Sequence, residues 1–480
     1  MGAEAYLEVD ATAQMAALNS GRITSLELLK AALGRHEKTH GKLNAVVAVD
    51  LERALERARS IDELRSKGAS LGPLAGLPMT IKDTLDVAGM PASSGLEAYR
   101  RRICEDAVSV AHVRRAGAVI WGKTNTPVLA ADWQTHNPLY GTTNNPWDVA
   151  RTPGGSSGGA AAALAAKVTA LEVGSDIGGS LRVPASFCGV FSHKPTWGLV
   201  TQHGHVPPAP GSWVERDLNV IGPMARSARD LRLLLALISD TPIAATAPPA
   251  NLLQTKVGLW LDDPLLPLDP QVRRTVERFA KELEAAGVIV EPISSPVDIE
   301  SLLHAYVVLL GGVLGEDLPE RTVRRMALAR PFAAGALKRG ASPYSSAALA
   351  MGYTCTHREW MAADAVRMRM VRELDSVFAS YDAILAPVAA VPAFAHDHRP
   401  AGKRNLELSD GRRIDYVSLW GWIALATACR LPATVVPAGL TEAGLPVGVQ
   451  LIGPPTGDSK MLSIAQAIDA DVRGFEPPDL

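Results

Sequence analysis

Two serine-bearing glycine clusters constrain this chain more than any other feature: Gly154-Gly155-Ser156-Ser157-Gly158-Gly159 and Gly174-Ser175-Asp176-Ile177-Gly178-Gly179-Ser180. Ser156 and Ser180 stand 24 residues apart. Glycine takes positive φ without a Cβ penalty and admits close backbone approach, so each cluster reads as a tight turn. Ala170-Leu171-Glu172-Val173, ahead of the second cluster, reads as a strand, and the alanine-rich run 160–166 after the first reads as a helix. A strand running into such a turn presents its serine at the end of a sheet, with successive N–H groups free to converge on one point.

The rest of the chain supplies strands and helices in alternation. Asp50 reads as an N-cap, Leu51, Ala54, Leu55, Ala58 and Ile61 follow at helical spacing, and Gly68 closes the segment. Arg115-Ala116-Gly117 ends another helix, and Ala118-Val119-Ile120-Trp121 reads as a buried strand. Residues 256–261 are strand-like, Asp269-Pro270 opens a helix, Gly287 closes it, and Val288-Ile289-Val290 is the next strand. This succession predicts α/β architecture with a largely parallel sheet. Residues 244–251, rich in Ala and Pro, read as a linker or as a surface loop between two halves of one sheet. Residues 301–381 are helical and irregular, a pattern suited to shaping a pocket.

Bulk properties exclude several function classes. Lys and Arg number 48 against 50 Asp and Glu, a net charge of −2, which leaves no basic footprint for nucleic acid. The cysteines Cys104, Cys188, Cys355 and Cys429 form no C-x-x-C pair, so no zinc or redox motif is read and no metal or cofactor is expected. The N-terminal segment carries Glu4, Glu8 and Asp10 where a signal peptide needs basic and then apolar residues, consistent with a cytoplasmic location. The apolar run 305–315 is shorter than the roughly 20 residues of a membrane span, and reads as a buried helix rather than a membrane-dipping cap.

Chemistry follows from three residues. Ser180, at the end of its turn, is the candidate nucleophile, with the N–H groups of Ile177, Gly178, Gly179 and Ser180 as candidate oxyanion donors. Lys82 lies in the apolar segment Gly76-Leu77-Pro78-Met79-Thr80-Ile81-Lys82-Asp83 and becomes a base if burial removes its charge. Inward-pointing Asp83 or Asp86 would oppose that. A hydroxyl both donates and accepts, so Ser156 can relay a proton between them. Rival readings fit less well. A phosphate loop needs Lys-Ser/Thr after its last glycine, where Ala160-Ala161 stand, and G-x-G-x-x-G is absent. The G-x-S-x-G elbow is not satisfied at Ser180. Spacing alone leaves open a triad through His193 or His203.

The combined pattern resembles the amidase signature family. It comprises both glycine clusters, the Lys82 segment, Gly122-Lys123-Thr124-Asn125, Lys194-Pro195-Thr196, the run 221–226 and the run 444–453. The resemblance spans about residues 24–468. It implies one α/β domain over residues 1–480 with a mixed sheet covered by helices, a signature core near 70–230 and a variable helical pocket region near 301–381. It further implies Ser180 as acyl-enzyme nucleophile, Lys82 as base and Ser156 as shuttle on a cis peptide bond after Gly155. Ala130, Trp133, Gly155 and Asp176 are the expected substrate-binding residues, and Trp133, Trp213, Trp420 and Trp422 the aromatic pocket candidates. The segments 192–196 and 204–211 look more like bacterial relatives of fatty-acid and aryl amide hydrolases than like the A-type chain of tRNA amidotransferases. The expectation is a monomer or homodimer acting on a small-molecule amide. An amidotransferase A-type glutaminase and a catalytically silent binding module are the alternatives.

Overall fold

The computed structural model describes residues 2–480. Eleven strands form one sheet. In chain order they are β1 (Val46–Val49), β2 (Pro78–Lys82), β3 (Val119–Thr124), β4 (Leu171–Asp176), β5 (Phe191–Lys194), β6 (Val220–Ala225), β7 (Lys256–Leu259), β8 (Ile289–Pro292), β9 (Ala383–Pro387), β10 (Ala433–Leu440) and β11 (Pro446–Ile452). Their spatial order is β1-β3-β2-β4-β6-β5-β10-β11-β9-β7-β8. Strands from both sides of residues 244–251 enter this one sheet, so that segment is a loop between its halves.

Local signals act where they stand in the sequence. The Asp50 side chain accepts from Arg53 N–H and caps the helix Leu51–Ser66. Asp269 caps Pro270–Ala285 through Gln271 N–H, with proline at the helix start, where a missing N–H costs nothing. Gly117 and Gly287 close their helices at φ +96° and +94°. Along β3, Ile120 enters the main core, while Val119 and Trp121 pack with Leu29, Ala58 and Ile61 of helices on the other face. Both faces of the sheet are therefore covered, as α/β architecture requires.

The sheet is mixed, not largely parallel. Six of its ten neighbour pairings are antiparallel. The strand-helix-strand units read from sequence are real: β7 and β8, joined by Pro270–Ala285, are parallel neighbours. Long-range neighbours such as β4–β6 and β9–β11 run antiparallel, and nothing in a local pattern encodes them.

The region 301–381 folds into the helices Ile299–Leu314, Glu320–Lys338, Ser346–Tyr353 and His357–Ser380. The first continues to Asp317 and, by length and composition, could cross a membrane. Its Leu302, Leu303, Tyr306, Leu309 and Leu310 are instead buried in the protein core.

Candidate active site

Parallel pairing of β2 with β4 aligns Thr80 with Glu172 and Ile81 with Val173. Lys82 at the end of β2 and Ser175 near the end of β4 therefore emerge at the same sheet edge. Lys82 Nζ lies 2.7 Å from Ser156 Oγ and 2.9 Å from Ser175 Oγ. The Gly155–Ser156 peptide is cis. The first cluster is tied to the second by Ser157 N–H, which donates to Ser180 O at 3.2 Å. Ser180 is 6% exposed, and no side-chain hydrogen bond joins Ser180 to Ser156 among the described residues.

Burial pushes the Lys82 ammonium down from 10.5 to about 7, with Asp176 and Glu172 opposing. Burial also raises the Glu172 carboxyl to about 8, so near neutral pH it offers Lys82 little negative charge. Asp176 is answered by Arg182 at 3.0 Å. Asp83 and Asp86 turn away from Lys82: Asp83 pairs with Lys123 at 3.2 Å and Asp86 with Arg102.

The turn after β4 differs from expectation at two residues. Gly179 N–H, counted among the oxyanion donors, is donated to Asp176 Oδ1 at 2.8 Å. The N–H groups of Ile177, Gly178 and Ser180 have no protein acceptor among the described residues. Asp176, expected to touch substrate, is fully buried. Its oxygens accept from Gly179, Leu181 and the Arg182 guanidinium, so it braces the turn from behind. An acceptor-only carboxylate at the mouth of a turn collects nearby N–H groups, which a reading by residue type cannot foresee.

Gly155 sits against backbone: a Cβ there would lie 2.4 Å from Asp132 O and 2.8 Å from Trp133 C. Gly155→Ala is expected to cost about 1–3 kcal/mol by overpacking and to lower activity by displacing Ser156. Thermal unfolding beside kcat checks this, and an unchanged Tm would contradict it. Ala130, half-buried, takes φ +57° beside Leu129 at +51°, and forms the bend leading to Trp133.

Trp133 Nε1 donates to Gly178 O at 2.8 Å, and Tyr306 OH donates to Ile177 O at 3.3 Å. Trp420 packs edge-on to both, with centroids at 5.5 and 6.3 Å. Two of the four tryptophan expectations fail. Trp422 is buried in the core against Trp260, and Trp213 is 77% exposed, stacked on His203. A tight apolar crevice, lined by Val307, Leu310, Leu349, Tyr353 and Trp420, adjoins this wall. A larger depression, about 680 Å³ around Trp147, Arg151 and Leu480, contains none of these groups. Chemistry rather than size locates the site.

Neither His193 nor His203 contacts Ser180 among the described residues. His193 contacts Thr434 and Asp458, and His203 contacts Ser212 O. Two contributors escaped the sequence reading. Ser175 had a weak signal, a second hydroxyl inside the quoted cluster. His205, which contacts Ser175 Oγ at 2.9 Å, had none.

A family model described as Amidase matches residues 27–462. Among curated proteins, the A-type chain of the glutamyl-tRNA(Gln) amidotransferase of Synechococcus sp. (strain CC9605) is 34% identical over 489 residues, covering 95% of each chain. Its namesake from Deinococcus radiodurans is 34% identical over 487 residues, covering 95% of this chain and 96% of that one. A solved amidase structure superposes with TM-score 0.79 at 30% identity, covering 97% of this chain and all of that one. A bacterial aryl acylamidase of the amidase signature family superposes with TM-score 0.77 at 24% identity, covering 96% of each chain. The expected leaning toward aryl amide hydrolases over the amidotransferase A-type chain is thereby overturned. That leaning rested on two short segments, of which 204–211 is loop, and loops diverge faster than the framework.

Proposed function

The chain belongs to the amidase family, and from that premise we propose that it cleaves the C–N bond of a carboxylic amide through an acyl-enzyme on Ser180. The observation that carries this reading is the buried Lys82 Nζ, 2.7 Å from Ser156 Oγ, with its ammonium driven down to about 7. Ser180 Oγ attacks the carbonyl carbon, its proton passes to Ser156, and the proton of Ser156 passes to Lys82. The N–H groups of Ile177, Gly178 and Ser180 receive the developing oxyanion. Lys82 returns the proton through Ser156 to the leaving nitrogen, which departs as ammonia or amine. Water then attacks the acyl carbon, giving its proton to the same relay, which returns it to Ser180 Oγ as the bond from that oxygen to the acyl carbon breaks, and the acid leaves.

For the substrate, likeness to amidotransferase A-type chains along 95% of both partners in the comparison supports a component that releases ammonia from glutamine. One observation favours a second reading, a stand-alone hydrolase of apolar or aryl amides, carbamates or esters. Trp133, Trp420 and Tyr306 flank the oxyanion turn, and the charged groups nearby are already paired, Arg182 with Asp176 and Arg404 with Asp132. A silent binding module is disfavoured, since Lys82, Ser156 and Ser180 are all present. The test is to assay the purified chain on glutamine and on an acyl para-nitroanilide. Ammonia release from glutamine with negligible nitroaniline release is expected of the amidotransferase component. Higher kcat/KM on the anilide would overturn it in favour of the hydrolase, and inactivity on both and on simple primary amides and esters would overturn the acyl-enzyme reading.

A further inference from the structure

Lys82 has a second hydroxyl partner that the acyl-transfer relay does not use. Ser175 Oγ stands 2.9 Å from Lys82 Nζ and 2.9 Å from His205 Nε2. His205 Nδ1 lies 2.7 Å from the carbonyl oxygen of Pro207. Four groups thus form one hydrogen-bonded line, from Lys82 through Ser175 and His205 to a backbone carbonyl. His205 is 5% exposed and Ser175 is 2% exposed.

The direction of every bond in this line follows from its far end. A carbonyl oxygen can only accept, so His205 Nδ1 carries a proton. Burial, with Lys82 and then Arg216 as cationic neighbours, pushes the His205 imidazolium down to about 3. The ring is therefore neutral at any working pH, and Nε2 holds a lone pair. Ser175 must donate its single proton to Nε2. Its oxygen is left to accept, and the donor facing it is Lys82 Nζ.

We propose that His205 is a positioning residue for the base: by accepting from Ser175 it obliges Ser175 to accept from Lys82, which leaves the Lys82 lone pair to Ser156. This rests on the reading of Lys82 as the base for Ser180. A neutral amine has two N–H bonds and one lone pair, and a serine hydroxyl free to rotate would donate into that lone pair in competition with Ser156. His205 removes the choice. Its own place is secured next to the lysine strand. Val206 N–H donates to Thr84 O at 2.8 Å, Asp86 N–H donates to Gly204 O at 2.8 Å, and Leu85 pairs with His205 in a backbone bridge. The titratable groups facing Lys82 are Glu172 and Asp176, and those facing His205 are Lys82 and Arg216. Neither set offers a carboxylate to His205, so the ring has no partner that would charge it.

Nitrogen-15 NMR of histidine-labelled protein tests the arrangement without altering it. His205, assigned by its absence in a variant, is expected as the neutral Nδ1–H tautomer, unprotonated from about pH 5 to pH 9. An Nε2–H tautomer or titration within that range would overturn the proposal. In His205→Phe the freed Ser175 hydroxyl stabilises neutral Lys82 while occupying its lone pair. The acid limb of kcat/KM is then expected to move down by about one pH unit while the plateau falls about tenfold, roughly one hydrogen bond's worth. His205→Gln, whose amide oxygen can replace the Nε2 acceptor, is expected to restore both. A His205→Phe variant with an unmoved acid limb would overturn the proposal, because loss of packing alone does not shift that limb. Full activity in Lys82→Met would instead overturn the base assignment beneath it, so the two failures are separable.

Discussion

Ser180→Ala is expected to fold as the parent does and to lose amide hydrolysis by about 10⁴- to 10⁶-fold in kcat. The substitution removes one hydroxyl from a side chain with no side-chain hydrogen-bond partner among the described residues. The backbone bond from Ser157 N–H to Ser180 O survives it, so the turn and its N–H groups stay in place. Residual activity would then reflect the oxyanion donors acting on bound substrate without an acyl-enzyme. Steady-state kinetics beside thermal unfolding checks this. A fluorophosphonate is expected to add its mass to Ser180 in the parent and to no residue in the variant. Retained activity with an unchanged Tm would remove Ser180 from the mechanism.

Lys82→Met is expected to lower kcat by about 10⁴-fold, the upper end of what a general base supplies, because among the described residues no other amine or imidazole hydrogen-bonds Ser156. Its pH signature is as informative as its size. In the parent, activity is expected to fall below about pH 7 as Lys82 takes up a proton, since burial has brought its ammonium down to about 7. An acid limb near the free-lysine value of 10.5 would contradict the buried-base account. The same shift has a consequence for stability. Between about pH 7 and 10.5 the unfolded chain binds a proton at Lys82 that the folded chain does not. This group's contribution therefore becomes more favourable as pH rises through that window, and its full penalty is present below it. Lys82→Met removes the penalty. Its Tm at pH 7 is expected to equal or exceed the parent's, with the gap narrowing toward pH 10. An active-site group that is costly to bury and necessary for the reaction exchanges stability for activity.

Several parts of this molecule were legible one residue at a time. The helix starts at Asp50 and Asp269 are side-chain caps acting within three residues. The helix ends at Gly117 and Gly287 are positive-φ residues that only glycine takes easily. Burial of Lys82 was readable from Leu77, Pro78, Met79 and Ile81, all of which lie in the core. Each of these depends on sequence neighbours alone. The tight turn after Val173 was legible too, although β4 continues to Asp176 and the turn begins three residues later than its glycines suggest.

Other features had no local trace. Asp176 has the same residue type whether it contacts substrate or braces a turn. Its role was decided by Arg182, whose guanidinium also reaches Ile423 O, Gln450 and Thr427 on distant segments. Gly179 was withdrawn from the oxyanion set by that same carboxylate. Trp422 and Trp213 were chemically equal candidates for a pocket wall until packing buried one and exposed the other.

By itself the sequence determined where the chain turns, which serines and lysine stand on those turns, and that an apolar setting would strip the lysine of its charge. Hydrogen-bond range, apolar periodicity and glycine conformation act over a few residues, and the sequence displays them directly. Only the tertiary structure decided the direction of the sheet neighbours and which N–H groups stay free for an oxyanion. It alone also brings the Ser175–His205 line, 30 residues apart in sequence, to bear on Lys82. Those outcomes depend on which remote segments share an edge or a core, and the orientation of a proton along a hydrogen-bonded line is set at its far end, here a proline carbonyl that no reading of the lysine strand can see.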